Sequence, residues 1–115
     1  MLNTKTKGLL LNIIKHCERI EEKIQECNKE LFNSSDDIKE IICFNLIQIG
    51  ELTASLDVDF INLYTGIPWN KVKGMRNRIV HGYGTIAIDR VWLTATEDIR
   101  PLKEYCDKII KGTSN

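Results

Sequence analysis

Apolar residues in every long segment of this chain recur at steps of three and four, and no useful length alternates with period two. That spacing lays side chains along one stripe of a helix and gives a sheet nothing to pair with. Over about residues 4–31 the stripe is Leu9, Ile13, Cys17, Ile20, Ile24, Cys27 and Leu31, with Glu18, Glu21, Glu22, Lys23 and Glu26 on the other faces. The polar run Asn33-Ser34-Ser35-Asp36-Asp37 breaks it with capping residues, and its acids suit the positive end of a following helix. Over about 36–56, Ile38, Ile42, Asn45, Ile49, Leu52 and Leu56 repeat the pattern, while Ile41 and Phe44 widen the apolar face. Residues 57–64 read as a short capped helix or turn. Pro68 then suits the first position of a helix over about 68–81, where its missing N–H costs nothing. Trp69, Val72, Met75 and Ile79 form that helix's stripe. Asp89 is a good N-cap for a last helix running to about residue 111, striped by Trp92, Ala95, Ile99, Leu102, Cys106 and Ile109. Pro101 lies inside it and predicts a kink or break near Ile99 and Arg100. Residues 112–115 read as a frayed tail.

The reading is all-α: four main helices and one additional short helix packed as a bundle, in a single domain over 1–115. A chain of 115 residues is long enough for its own core. With 43% hydrophobic and 28% charged residues, disorder is not expected. The formal charge of zero supplies no global field for nucleic acid, so any such binding must come from a local patch. It also favours self-association. Leu9-Leu10-Leu11 with Ile13-Ile14 is too short to span a bilayer, and no small-residue cleavage site follows it. Cys17, Cys27, Cys43 and Cys106 have no C-x-x-C spacing and read as free thiols in a reducing cytosol. There is no acid cluster, no histidine pair at i, i+4 and no glycine-rich phosphate loop, so no metal or cofactor is expected.

Some residues break the apolar pattern. His16 beside Cys17 reads as a helix-surface or core-edge histidine. Asn45 reads as a satisfied core amide, or as a residue lining a site or seam. Gly50 costs a helix interior about 1 kcal/mol relative to Ala, which points to another helix packing close. Glu51 is either a solvated charge or an acid facing Arg76 or Arg78.

The densest cluster of positive charge is Lys71, Lys73, Arg76 and Arg78, with no acid among them, and it leads into His81-Gly82-Tyr83-Gly84. An arginine and a histidine suit a phosphodiester. Arginine stays charged and forks onto phosphate oxygens, and histidine exchanges protons near neutrality. RNA can be cleaved through its own 2′-hydroxyl without a metal, by one base and one acid. One His81 does not easily serve as both, so the chemistry favours a dimer with two motif helices across a cleft. On an ideal helix Arg76 and Tyr83 share a face, whereas Arg76 and His81 differ by about 140°. A helix ending at Gly82 could swing His81 back toward Arg76. The four cations, doubled in a dimer, read as a phosphate track, although a solvated basic face near a helix C-terminus reads the same way.

The stretch Gly74-Met75-Arg76-Asn77-Arg78-Ile79-Val80-His81-x-Tyr83 resembles the R-x4-H-x-Y signature of the HepT-like ribonuclease toxins of the HEPN superfamily. Pro68-Trp69 before it, Trp92 and Thr96-Glu97-Asp98 after it, and Ile49-Gly50-Glu51 earlier extend the likeness over nearly the whole chain. The resemblance implies a homodimeric HEPN-type bundle and a metal-independent RNA endonuclease with Arg76 and His81 as the catalytic pair. Asn77 would support the site; from their own placement Glu51 would support it too, and Lys71, Lys73 and Arg78 of the basic run would bind RNA. It also implies that an MntA-like minimal nucleotidyltransferase antitoxin transfers AMP from ATP to Tyr83. Gly82 and Gly84 depart from the bulkier or acidic neighbours usual beside that tyrosine. The competing reading is a non-catalytic subunit that engages a nucleotide or a nucleotidyltransferase.

Overall fold

The computed structural model describes residues 2–82 and 88–112, with side chains described for 2–80 and 88–112. The described residues form helices linked by short turns. α1 spans Thr4–Gln25, and its N-cap Asn3 accepts from the Thr6 amide at 2.7 Å. Its buried row is Thr6, Leu10, Ile13, Cys17 and Ile20. The helix expected to continue to residue 31 stops here. The Asn28 Oδ1 accepts from the Leu31 amide at 2.9 Å and caps a separate helix, α2, Lys29–Ser34. A side chain that satisfies a free N–H in this way competes with helix continuation. The break turns Leu31 outward and buries Phe32 fully, with its ring 5.2 Å from that of Trp92.

α3 spans Asp36–Ala54 and begins where the cap was expected, with the Ser35 Oγ accepting from the Ile38 amide at 3.2 Å. It is the central helix, packed between α1 and α5. Ile42, Asn45 and Ile49 are buried, and so are Cys43, Leu46, Gly50 and Thr53 on a second row. Ile41 and Phe44 do not widen the core; they are 37% and 54% exposed. Asn45 is a satisfied core amide. Its Oδ1 pairs with His16 Nδ1 at 2.8 Å, and its Nδ2 donates to the Ile41 carbonyl at 2.8 Å.

α4 is the short helix Val58–Leu63, and α5 is Trp69–Gly82. Phe60 packs against Tyr64 and Trp69, and the Tyr105 hydroxyl accepts from the Gly66 amide at 3.0 Å, tying the turn before α5 to the C-terminal helix. Pro68 lies just before α5, its carbonyl accepting from the Lys71 and Val72 amides.

The last expected helix is interrupted. α6 is Ile88–Leu93, a π-helical turn covers Thr94–Asp98, and α7 is Ile99–Lys111. A proline ring clashes with the carbonyl four residues back, here Glu97, and the wider π turn absorbs that clash. The break therefore falls before Ile99. Asp89 is not the N-cap; it lies in the first turn of α6 and pairs with Lys29 at 2.7 Å. α7 buries Ile99, Leu102, Cys106 and Ile109 against α1 and ends at Gly112 with φ 72°, the left-handed conformation glycine adopts freely. Glu21 of α1 bonds Lys103 of α7 at 2.6 Å.

All four cysteines are free; Cys17, Cys43 and Cys106 are buried and Cys27 is half-buried. Burial raises the Cys17 and Cys106 thiols, with Cys106 pushed up to about 12. Among the described residues no helix is long and apolar enough to cross a membrane.

Candidate functional site

α5 is held against α3 by the glycine that broke the pattern of that helix. A Cβ on Gly50 would stand 3.0 Å from both Arg76 Cβ and Arg76 N, and 3.4 Å from the Lys73 carbonyl. Close packing is therefore the reason for a glycine inside α3. It brings Glu51 level with Arg76, whose Nε forms an ion pair with Glu51 Oε1 at 2.7 Å. Arg76 Nη1 donates to Asn77 Oδ1 at 2.9 Å. Among the described residues the guanidinium makes one hydrogen bond, to Asn77, beside its ion pair with Glu51; the rest of its five N–H donors can meet a ligand. Both partners of the ion pair are partly solvated, at 41% and 54% exposed, so the pair contributes orientation far more than stability.

Helices α3 and α5 run antiparallel, since Gly50 meets residues 73 and 76 while Leu46 shares a recess with Met75 and Ile79. Phe44 is seven residues before Glu51 and so lies on the same side of α3. Val80 is four residues after Arg76 and lies on the same side of α5. Phe44 at 54% and Val80 at 45% exposed therefore lie on the same side of the bundle as the Arg76–Glu51 pair.

The four cations do not make one patch. Lys73 and Arg76, three apart, share one side of α5, while Lys71 and Arg78, seven apart, share another. Arg78 Nη2 donates to the Lys71 carbonyl at 3.0 Å, and both residues border a groove of about 550 Å³ together with Arg90. Arg90 was not singled out in the sequence, because only the approach of α6 to α5 brings it to Arg78.

Helix α5 continues through Gly82, so its backbone does not turn at His81. Position 81 therefore stays about 140° around the axis from Arg76. Tyr83 and the turn expected over 83–87 lie outside the described residues.

The profile of the ribonuclease HepT-like family matches residues 13–109. The chain is 31% identical over 105 residues to a probable ribonuclease HepT of Thermococcus cleftensis, covering 91% of this chain and 96% of that one. It is 30% identical over 105 residues to a putative RNase of Methanocaldococcus jannaschii, covering 91% and 90%. A putative RNase of Caldanaerobacter subterraneus is 24% identical over 102 residues, covering 89% and 91%. No solved structure shows a significant match. A family profile that spans most of the chain, on an all-helical bundle with Arg76 and position 81 on one helix, carries a single conclusion: the chain belongs to the ribonuclease HepT-like family.

Proposed function

We propose that this chain is an RNA endonuclease toxin that works as a homodimer without a metal. In this reading an MntA-like minimal nucleotidyltransferase antitoxin silences it by AMP transfer to Tyr83. The observation that carries the reading is Arg76 itself, oriented by Glu51 and Asn77 with donors left for phosphate among the described residues, on a side of the bundle that exposes Phe44 and Val80. Exposed apolar side chains such as these two are ones a second copy would cover. The placement of positions 76 and 81 about 140° apart around α5 supports an assembly in which two copies contribute to one site.

In the two-fold site one His81 takes the proton of the 2′-hydroxyl as that oxygen attacks phosphorus. The bond from phosphorus to the 5′ oxygen breaks, and the partner copy's histidine protonates the leaving oxygen. A 2′,3′-cyclic phosphate and a 5′-hydroxyl result. Arg76 stabilises the charge that builds on the phosphoryl oxygens. Lys71, Lys73 and Arg78 attract the strand. AMP on Tyr83 would set a phosphate beside these cations and fill space that RNA needs.

The test is RNA cleavage in EDTA by the chain and by its His81→Ala and Arg76→Ala variants, with intact mass recorded for each sample. Cleavage by the parent alone supports the assignment. Cleavage retained by His81→Ala removes the acid–base role. An inactive parent of unmodified mass favours the non-catalytic binding subunit. Tyr83→Phe is expected to cleave and to resist AMP transfer; an adduct found on Tyr64 or Tyr105 would move the switch there.

A further inference from the structure

The groove beside Arg78 is distinct from the Arg76–Glu51 surface, since Arg76 and Arg78 differ by about 160° around α5. It runs between α5 and the α6–α7 segment. Val72 and Leu102 contribute apolar lining, and Lys71, Arg78 and Arg90 oppose the one lining acid, Asp98. Arg78 and Arg90 also border the adjoining small recess together, beside Ile79 and Thr94. Arg78 is held in place. Its guanidinium lies over Gly74, where a Cβ would stand 2.9 Å from Nη1, and its Nη2 donates to the Lys71 carbonyl. Position 81 is three residues beyond Arg78 along α5 and about 60° from it around the axis.

We infer that this groove binds one nucleotide of the RNA strand, its base against Val72 and Leu102 and its phosphate between Arg78 and Arg90. The inference rests on the ribonuclease reading above. Three cations against one acid match a polyanion, and two guanidinium groups fork naturally onto phosphate oxygens. A volume of about 550 Å³ lies in the range of small-molecule sites. The apolar lining takes the flat face of a base out of water. Asp98, which can only accept when ionised, favours a base edge carrying an amino group.

The experiment uses a short fluorescein-labelled 2′-O-methyl RNA oligonucleotide, which has no free 2′-hydroxyl and reports binding without cleavage. Anisotropy titrations over a salt series compare the parent with Arg90→Ala, Gly74→Ala and the control Gly8→Ala. A methyl group at Gly74 displaces only the far end of the Arg78 side chain, so the fold is kept while the guanidinium moves. Arg90→Ala and Gly74→Ala are each expected to weaken binding about ten-fold. Arg90→Ala should also lower the slope of log K against log salt by about 0.7, one single-strand phosphate contact. Gly8→Ala should match the parent. Unchanged affinity and slope in both variants would overturn the site. So would a loss of dimer mass in Arg90→Ala with affinity intact, which would assign the groove to a protein contact. A parent that cleaves RNA and binds the oligonucleotide independently of both residues keeps the nuclease reading and loses the subsite. A parent that binds through the groove and cleaves nothing does the reverse.

Discussion

Gly8 and Gly50 both lie inside helices, and replacing each with alanine should have opposite effects. A glycine in a helix interior costs about 1 kcal/mol relative to alanine, so Gly→Ala is stabilising wherever a methyl group finds room. At Gly8 nothing lies within 4 Å of the added Cβ, and stability should rise by about 1 kcal/mol. At Gly50 the same Cβ meets the backbone nitrogen and Cβ of Arg76 at 3.0 Å, a few tenths of an ångström inside ordinary contact. Backbone does not step aside as a flexible side chain does, so α5 must move away from α3. Overpacking of this kind costs about 1–3 kcal/mol. Set against the helix gain, Gly50→Ala should end about 1 kcal/mol less stable than the parent and about 2 kcal/mol below Gly8→Ala. At about 4 °C per kcal/mol for a chain of this size, the two melting temperatures should differ by about 8 °C. The shift also carries Arg76 away from Glu51. Because a misplacement of about 1 Å costs catalysis on the order of 100-fold, a few tenths should lower RNA cleavage about ten-fold. Thermal and urea unfolding of the three proteins, with the cleavage assay on the same samples, measure both effects. If Gly50→Ala melts as high as Gly8→Ala and cleaves like the parent, the close approach of α5 is not what the glycine serves.

Three further outcomes are expected. Glu51→Gln should change stability by less than about 1 kcal/mol, because the pair is partly solvated. It should nevertheless lower kcat about ten-fold with KM for RNA unchanged or smaller, since a positioning partner is lost and a negative charge leaves the site; an unchanged kcat would remove Glu51 from the site. Asn45→Ala should cost about 1–2 kcal/mol in urea unfolding, because it orphans His16 Nδ1 while the Ile41 carbonyl keeps its helical bond. The buried Cys17 and Cys106 thiols have folded pKa values raised above the unfolded value. Their contribution is full below about pH 9 and is lost as pH climbs toward their raised folded pKa values, about 12 for Cys106. Between those limits they should remove stability on the order of 1 kcal/mol per pH unit for each thiol. Urea midpoints from pH 8 to 11 should fall steeply for the parent and less steeply for Cys106→Ala.

Much of the site was legible in the residues themselves. Arg76, Asn77 and position 81 lie within one turn or two of one helix, and helical periodicity relates them without any knowledge of packing. Glu51 was legible only as an alternative, a solvated acid or a partner of Arg76 or Arg78, because the register between α3 and α5 is set by where Gly50 admits the second backbone. Arg90 was not legible at all. Its nearness to Arg78 depends on how α6 returns beside α5, and no spacing along the chain encodes that distance.

The helical class, the capping at Ser35, the glycine demanded inside α3 and the interruption enforced by Pro101 were determined by the sequence alone. Each follows from local sterics, periodicity or side-chain capping within a few residues. The tertiary structure decided which apolar residues became core. Leu31, Ile41 and Phe44 satisfy the helical pattern, yet the break at Asn28 and the central place of α3 leave them exposed, while Phe32 is buried. It also decided that the basic run along α5 divides, with Arg76 turned to Glu51 and Arg78 turned to a groove. A run of charges has no preferred direction until neighbouring helices make one side of it a surface and another side a cleft.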